Sequence, residues 1–270
     1  QILEKERPII AFGPSDPPLE YLMNLIAIVR DTNCAVTKQI LDYEPSESNN
    51  WNPTKVESKE DLNTLHAQKL QVNNCIAIQG PPGTGKTYRM AALSAELLRQ
   101  GKSVLVTALT NQALIELVKK KDLKDFLDAQ KVTKTSLTVD ESKELPKLQP
   151  NKKNLCNAAP GYLSLATFYL SSAWAKDAIE IPFDYVIMDE ASQALYPMIA
   201  ASVKLGNKII WIGDQNQLPP IVLTGDDVIN RYDWGGIVKG FNTLCTNFSY
   251  PSYMLKDTFR LTERGAACTG

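Results

Sequence analysis

Eight consecutive residues, Gly80-Pro81-Pro82-Gly83-Thr84-Gly85-Lys86-Thr87, fit the pattern GxxxxGK[ST]. Glycines let such a loop curl until successive backbone N–H groups point inward, which is a geometry that cradles phosphate. The Lys86 ammonium is then placed to neutralise β- and γ-phosphate oxygens, and the Thr87 hydroxyl to hold Mg²⁺. A glycine-rich turn with no ligand would have no use for Lys-Thr at those two positions. All eight residues, with Tyr88 directly after them, form the expected nucleotide-binding set.

Phosphoryl transfer to water needs a metal ligand and a group that orients the water. Asp184-Tyr185-Val186-Ile187-Met188-Asp189-Glu190 is an apolar run ending in two carboxylates. Asp189 is the expected Mg²⁺ ligand, and Glu190 the expected base or water-orienting group. Gly213-Asp214-Gln215-Asn216-Gln217-Leu218-Pro219-Pro220 ends another apolar run. Gln217 is expected to face the γ-phosphate beside Glu190, because loops at the carboxyl ends of neighbouring parallel strands meet at one crevice.

These groups need strands that end and helices that begin at one edge. Apolar runs at 75–78, 103–108, 163–168, 185–188 and 208–212 read as strands, and 88–100 and 111–119 as helices. Met90, Leu93 and Leu97 share one helix face, and Gly101 stops that helix. The alternation predicts an α/β fold, a mostly parallel sheet covered by helices on both faces.

Ahead of it, Leu19, Leu22, Ile26, Val29, Val36 and Ile40 recur at helical spacing with a polar gap at Asn33, and 44–58 reads as a linker. The expected division is therefore a helical and linker segment over 1–58 and an α/β domain over 59–270. Residues 119–153 hold ten Lys against six acidic residues and read as an exposed charged insertion, whose excess could touch phosphate backbones.

With 270 residues, 44% of them hydrophobic and 22% charged, the chain can bury a large core, which excludes general disorder. Twenty-nine Lys plus Arg balance thirty Asp plus Glu, so any nucleic-acid contact must be local. His66 is the only histidine, and the five cysteines form no CxxC pair. His-rich metal sites and Ser-His-Asp chemistry are thereby excluded. No apolar run approaches the roughly 18 residues of a membrane helix, and the start lacks a secretory signal. The expectation is a soluble monomer, cytoplasmic or, in a eukaryote, nuclear. Both ends read as cut from a longer polypeptide.

In this order, GPPGTGKT, VIMDEASQA and IGDQNQLPP resemble the first motor domain of superfamily 1 helicases of the up-frameshift type, over residues 60–265. The resemblance implies a RecA-like P-loop NTPase that uses ATP and Mg²⁺ to move on single-stranded DNA or RNA. VLVTALTNQALIEL, residues 104–117, is similar to the family's motif Ia, which makes Thr110 and Asn111 nucleic-acid contacts, although a Thr or Asn at such a turn serves equally as a helix cap. LSLATFY at 163–169 makes Thr167 a weaker candidate of the same kind.

YMLKDTFRL, residues 253–261, resembles the segment whose arginine reaches the γ-phosphate, with Phe259 in place of the usual Tyr, and so assigns that role to Arg260. The family's adenine-reading Gln has no clear counterpart among Asn63, Gln68 and Gln71. Family members close ATP between two RecA-like domains. No segment after Arg260 can hold the second, so this stretch alone is expected to be weakly active. A nucleotide-dependent switch within a larger defence, repair or RNA-surveillance protein is the alternative reading. A small-molecule kinase fits less well, having no use for the Gly-Asp-x-x-Gln-Leu-Pro-Pro segment.

Overall fold

A computed structural model describes residues 19–31, 33–44, 52–56, 62–70, 72–151, 156–222, 224–247 and 249–256. In chain order the elements are α1 (Leu19–Arg30), α2 (Ala35–Leu41), β1 (Thr54–Val56), α3 (Leu62–Lys69), β2 (Cys75–Gln79), α4 (Lys86–Arg99) and β3 (Val104–Ala108). Then come α5 (Asn111–Val118), α6 (Lys124–Asp128), β4 (Val132–Lys134), α7 (Val139–Glu144), β5 (Gln149–Pro150), β6 (Leu163–Thr167) and α8 (Phe168–Asp177). The remainder is β7 (Phe183–Met188), α9 (Tyr196–Ser202), β8 (Gly206–Gly213), α10 (Asp226–Arg231), α11 (Gly235–Val238), α12 (Gly240–Thr246) and β9 (Ser252–Leu255).

Among the described residues nine strands form one sheet in the order β1-β9-β2-β8-β7-β3-β6-β4-β5, and every pairing is parallel. Central strands β2 and β3 are buried at every position because both faces are covered, yet the side chains of the central strands alternate between two separate cores. Ile76, Ile78, Val104, Val106, Ile187, Ile210 and Ile212 pack with Met90, Leu93 and Leu97 of α4 and Leu114 and Leu117 of α5. Ala77, Leu105, Val186, Met188, Ile209 and Trp211 face the other way, toward Leu25, Phe168, Trp174, Ile199 and Phe241. Trp211 is fully buried and its indole N–H donates to Ser202 Oγ at 2.9 Å, so the polar end of the ring is satisfied.

The five expected strands and two expected helices are present, with ends shifted by one or two residues. Three other expectations change. The single N-terminal helix is two, α1 and α2, broken around Asn33; Tyr21, Leu25, Ile28 and Ile40 pack into the same core as α8 and α9. Thr54–Val56, inside the expected linker, is instead a strand beside β9, held by the burial of Val56.

The charged stretch 119–153 is not simply an exposed insertion. It supplies β4 and β5 to the sheet and buries Leu123, Val132, Leu145 and Leu148. Lys134 is almost wholly buried, and its ammonium donates to Ser136 O at 2.6 Å and pairs with Glu141 at 3.2 Å. Lys119, Lys124, Lys143 and Lys147 also pair with carboxylates of this region. Among the described residues, five of its ten lysines thus have a carboxylate partner within the stretch, and the excess of lysines over acidic residues remains.

Cys34, Cys75, Cys156 and Cys245 are free thiols. Among the described residues no helix is long and apolar enough to cross a membrane, and no group of three or more His, Cys, Asp or Glu residues is placed to hold a metal ion.

Candidate nucleotide site

The sheet is parallel, so the strands run out at one edge, and five of them deliver the residues of interest there. Gln79 of β2 lies in register with Gly213 of β8, Thr107 of β3 with Met188 of β7, and Ala108 of β3 with Thr167 of β6. The loops that follow these strand ends therefore share one rim.

The phosphate loop leaves β2 at Gly80, whose amide donates to Gly213 O at 2.8 Å. Gly83 and Gly85 take φ of 83° and 71°, left-handed values that a side chain would strain, and α4 starts at the next residue, Lys86. A Cβ on Gly80 would come within 2.6 Å of Lys86 Cγ, so glycine there is a packing requirement. Lys86 Nζ donates to the carbonyls of Gly80 and Pro81, which bends its ammonium back over the loop. Thr84 Oγ1 donates to Pro81 O at 2.8 Å and Arg89 Nε to Thr84 O at 3.2 Å, bracing the turn from both sides.

At the end of β7, Asp189 N donates to Thr107 O at 2.8 Å, which extends the ladder to the last residue before the turn. Glu190 then adopts φ 54°, uncommon for a residue with a side chain and a form of local strain that concentrates at working sites. Its amide donates to Asp189 Oδ1 at 2.8 Å. Burial raises the Asp189 carboxyl above the usual range, opposed by that amide and by the charge of Lys86. Glu190 is raised as well, by burial and then by the Asp189 charge, while the backbone N–H groups of Leu109 and Thr110 and the Lys86 charge draw it down. One Glu190 oxygen, Oε2, is buried with no hydrogen-bond partner, as is Ser192 Oγ beside it.

Lys86, Thr87, Asp189, Glu190, Ser192, Asp214 and Gln217 line one open cleft of about 230 Å³, walled on its far side by Ala113 and Glu116 of α5. Gln217 sits on an exposed turn whose amide donates to Asp214 O at 3.0 Å. That turn is held by Gln79, which the motif reading passed over, and by Asp214, which it quoted without a role. Gln79 donates to Asp214 Oδ1 at 2.6 Å and accepts from Gln215 N at 3.0 Å. Nothing in the local spacing around Gln79 distinguishes it from any other strand residue.

Thr110 caps α5, accepting from Ala113 N at 3.2 Å, and both Thr110 and Asn111 are exposed on the rim. Thr167 begins α8 without a side-chain capping bond. Tyr88 is exposed, with Lys120 Nζ 4.6 Å from its ring centroid. Phe259 and Arg260 lie outside the described residues, as does Gln71. Asn63 is in α3, and its Oδ1 is buried without a partner.

The donor set fits a magnesium nucleotide. Mg²⁺ is held by one or two protein oxygens together with phosphate oxygens, so a hydroxyl and a carboxylate at Thr87 and Asp189 suffice without a cluster of acids. The unpartnered Glu190 oxygen and the glycine cradle beneath Lys86 are what a site for a charged ligand and its water would need.

The family model described as an AAA domain matches residues 63–226. Curated relatives include the DNA replication ATP-dependent helicase/nuclease DNA2 of Saccharomyces cerevisiae, 29% identical over 57% of this chain and 10% of that one. DNA2 of Homo sapiens is 32% identical over 54% and 14%, and JHS1 of Arabidopsis thaliana, of the same description, 27% identical over 74% and 16%. The chain thus spans about a tenth to a sixth of the length of these relatives. Among solved structures, the UvsW helicase from bacteriophage T4 aligns with a TM-score of 0.42 and 14% identity over 82% of this chain and 66% of that one. The up-frameshift type is not singled out by these matches.

Proposed function

Because this chain belongs to the AAA domain family, we propose that it binds and hydrolyses ATP with Mg²⁺ and that this turnover drives a helicase motor along single-stranded DNA. The observation that carries the proposal is the meeting of Lys86, Thr87, Asp189, Glu190 and Gln217 around one cleft at the carboxyl edge of a parallel sheet. DNA is preferred over RNA because the relatives are named for DNA replication.

In this reading the loop amides of 80–87 and the start of α4 bind the phosphates, and Lys86 swings from its own loop carbonyls to phosphate oxygens. Bound Mg²⁺ supplies charge neutralisation at those oxygens, with Thr87 and Asp189 as its protein ligands. Glu190 orients water and takes its proton at the carboxylate, whose proton affinity is raised by burial and then by the Asp189 charge. Gln217 contacts the third phosphate from the opposite wall. Arg260 adds positive charge there in the transition state. Thr110, Asn111 and Thr167 form the rim that grips the polymer backbone, and a second RecA-like domain closes the cleft.

Steady-state ATPase of the full-length protein, with and without single-stranded DNA or RNA of mixed sequence and with Lys86→Ala as the blank, tests this. Stimulation by DNA well above RNA is expected. Greater stimulation by RNA would transfer the proposal to RNA, and turnover indifferent to both would replace the motor with a nucleotide-dependent switch.

A further inference from the structure

We infer that Gln79 is a positioning residue, tying the Gln217 turn to the phosphate loop so that contact with the third phosphate is set by the same strand that carries the phosphate cradle. The inference rests on the nucleotide-site reading above and assigns a function to a residue that touches no ligand. Gln79 is the last residue of β2, 1% exposed, and directly precedes Gly80. Its Nε2 donates to Asp214 Oδ1 at 2.6 Å, and its Oε1 accepts from Gln215 N at 3.0 Å. The same Asp214 oxygen accepts from Asn216 N at 3.0 Å, and Asp214 O accepts from Gln217 N at 3.0 Å. Gly80 N to Gly213 O adds a backbone bond between the same two segments.

Only a carboxamide of this length meets both demands, because it ends in a donor and an acceptor side by side. Asp214 is 2% exposed, and a buried carboxylate needs its donors. A glutamate at 79 would keep the acceptor facing Gln215 but set a second carboxylate against Asp214. A leucine would leave both Asp214 and the Gln215 amide short of a partner. The turn is further confined at Gly213, where a Cβ would meet Ser192 N at 2.9 Å and the Phe241 ring at 3.0 Å. With slack removed there, the Gln79 carboxamide fixes the start of the turn relative to Lys86, while Gln193 Nε2, donating to Leu218 O at 2.5 Å, holds its far end.

The consequence is discrimination between three phosphates and two. It is tested by equilibrium binding of a fluorescent non-hydrolysable ATP analogue and of fluorescent ADP, each with Mg²⁺, to the full-length protein. Gln79→Glu should weaken the ATP analogue about tenfold at pH 8 and leave ADP within about threefold, as expected for loss of one buried charge-assisted bond. Discrimination should return as the pH falls and the new carboxyl gains a proton to donate. Asp214→Ala, which adds no charge, should reproduce the loss.

Unchanged discrimination in Gln79→Glu, or equal weakening of ATP analogue and ADP with no recovery as the pH falls, overturns the inference while the nucleotide site stands. A wild-type protein that binds neither nucleotide, indistinguishable from Lys86→Ala, overturns the nucleotide-site reading and this inference with it.

Discussion

The Glu190 amide donates to Asp189 Oδ1 at 2.8 Å across a left-handed turn, so two adjacent carboxylates have distinct surroundings. Asp189 is tied to the corner and feels Lys86, whereas Glu190 meets the amides of Leu109 and Thr110 and keeps one oxygen unpartnered. Glu190→Gln is accordingly expected to retain nucleotide binding and to lower kcat by about 10²–10⁴-fold. Lys86→Ala should lose the binding itself. Normal turnover in Glu190→Gln, measured beside its nucleotide Kd, would assign the base elsewhere.

The same raised carboxyl predicts a dependence of stability on pH. A group whose folded pKa lies above its unfolded value carries a penalty that is absent below the unfolded value, grows as pH rises toward the folded one and is complete beyond it. Glu190→Gln should therefore melt higher than wild type at pH 7, with the gain disappearing by about pH 4. Melting curves of both proteins across this range check it; a gain that is equal at every pH would point to packing rather than charge.

Gly80→Ala probes the cradle with a single methyl. The new Cβ would meet Lys86 Cγ at 2.6 Å, and displacing that stem alters the route by which the ammonium passes from the loop carbonyls to phosphate. Loss on the order of 100-fold in kcat/KM for ATP is expected, from misplacement by about an ångström, with circular dichroism unchanged. Wild-type kinetics in this variant would show that Lys86 reaches its working position by another route.

Neighbouring rim residues should separate capping from polymer contact. Thr110→Ala removes the bond to Ala113 N and should cost about 1 kcal/mol of stability. Asn111→Ala should leave both stability and basal ATPase alone and reduce stimulation by single-stranded DNA. Undiminished stimulation in Asn111→Ala would confine this turn to a structural role.

Lys134 offers a test away from the cleft. Truncation to Ala leaves Glu141, whose side chain is 14% exposed, without its cation and should destabilise by about 3 kcal/mol. Replacing the pair together, Lys134→Met with Glu141→Leu, should recover most of that loss. Denaturant unfolding of the three proteins measures both steps.

What could be read from the chain alone follows a physical division. Lys86, Thr87, Asp189, Glu190 and Gln217 lie in contiguous strings whose residue types have meaning only together, and the apolar runs beside them are long enough to mark strands. The role of Gln79 was hidden, and Asp214 stood in its motif without one, because their bond joins residues 135 positions apart. Strands β1, β4 and β5 have three, three and two residues, too few for an alternation to register. Composition misled at 119–153, which supplies two strands to the sheet, pairs half of its lysines with its own carboxylates and takes Lys134 inside. The break between α1 and α2 was visible as the polar gap at Asn33, but the pattern continued across it and read as a single helix.

The strand order carries a consequence for how the protein is made. β2 lies between β8 and β9, and a ribosome delivers β2 long before either neighbour. Until residues 206–213 emerge, the strand that launches the phosphate loop has no partner on that side, and Gly80 and Gln79 lack the atoms that hold them. The nascent chain therefore cannot assemble a nucleotide cradle progressively. The β2 strand waits unpaired until β8 and β9 follow it, a period in which such edges invite misassociation, and a held phosphate loop depends on residues 206–213 having been made.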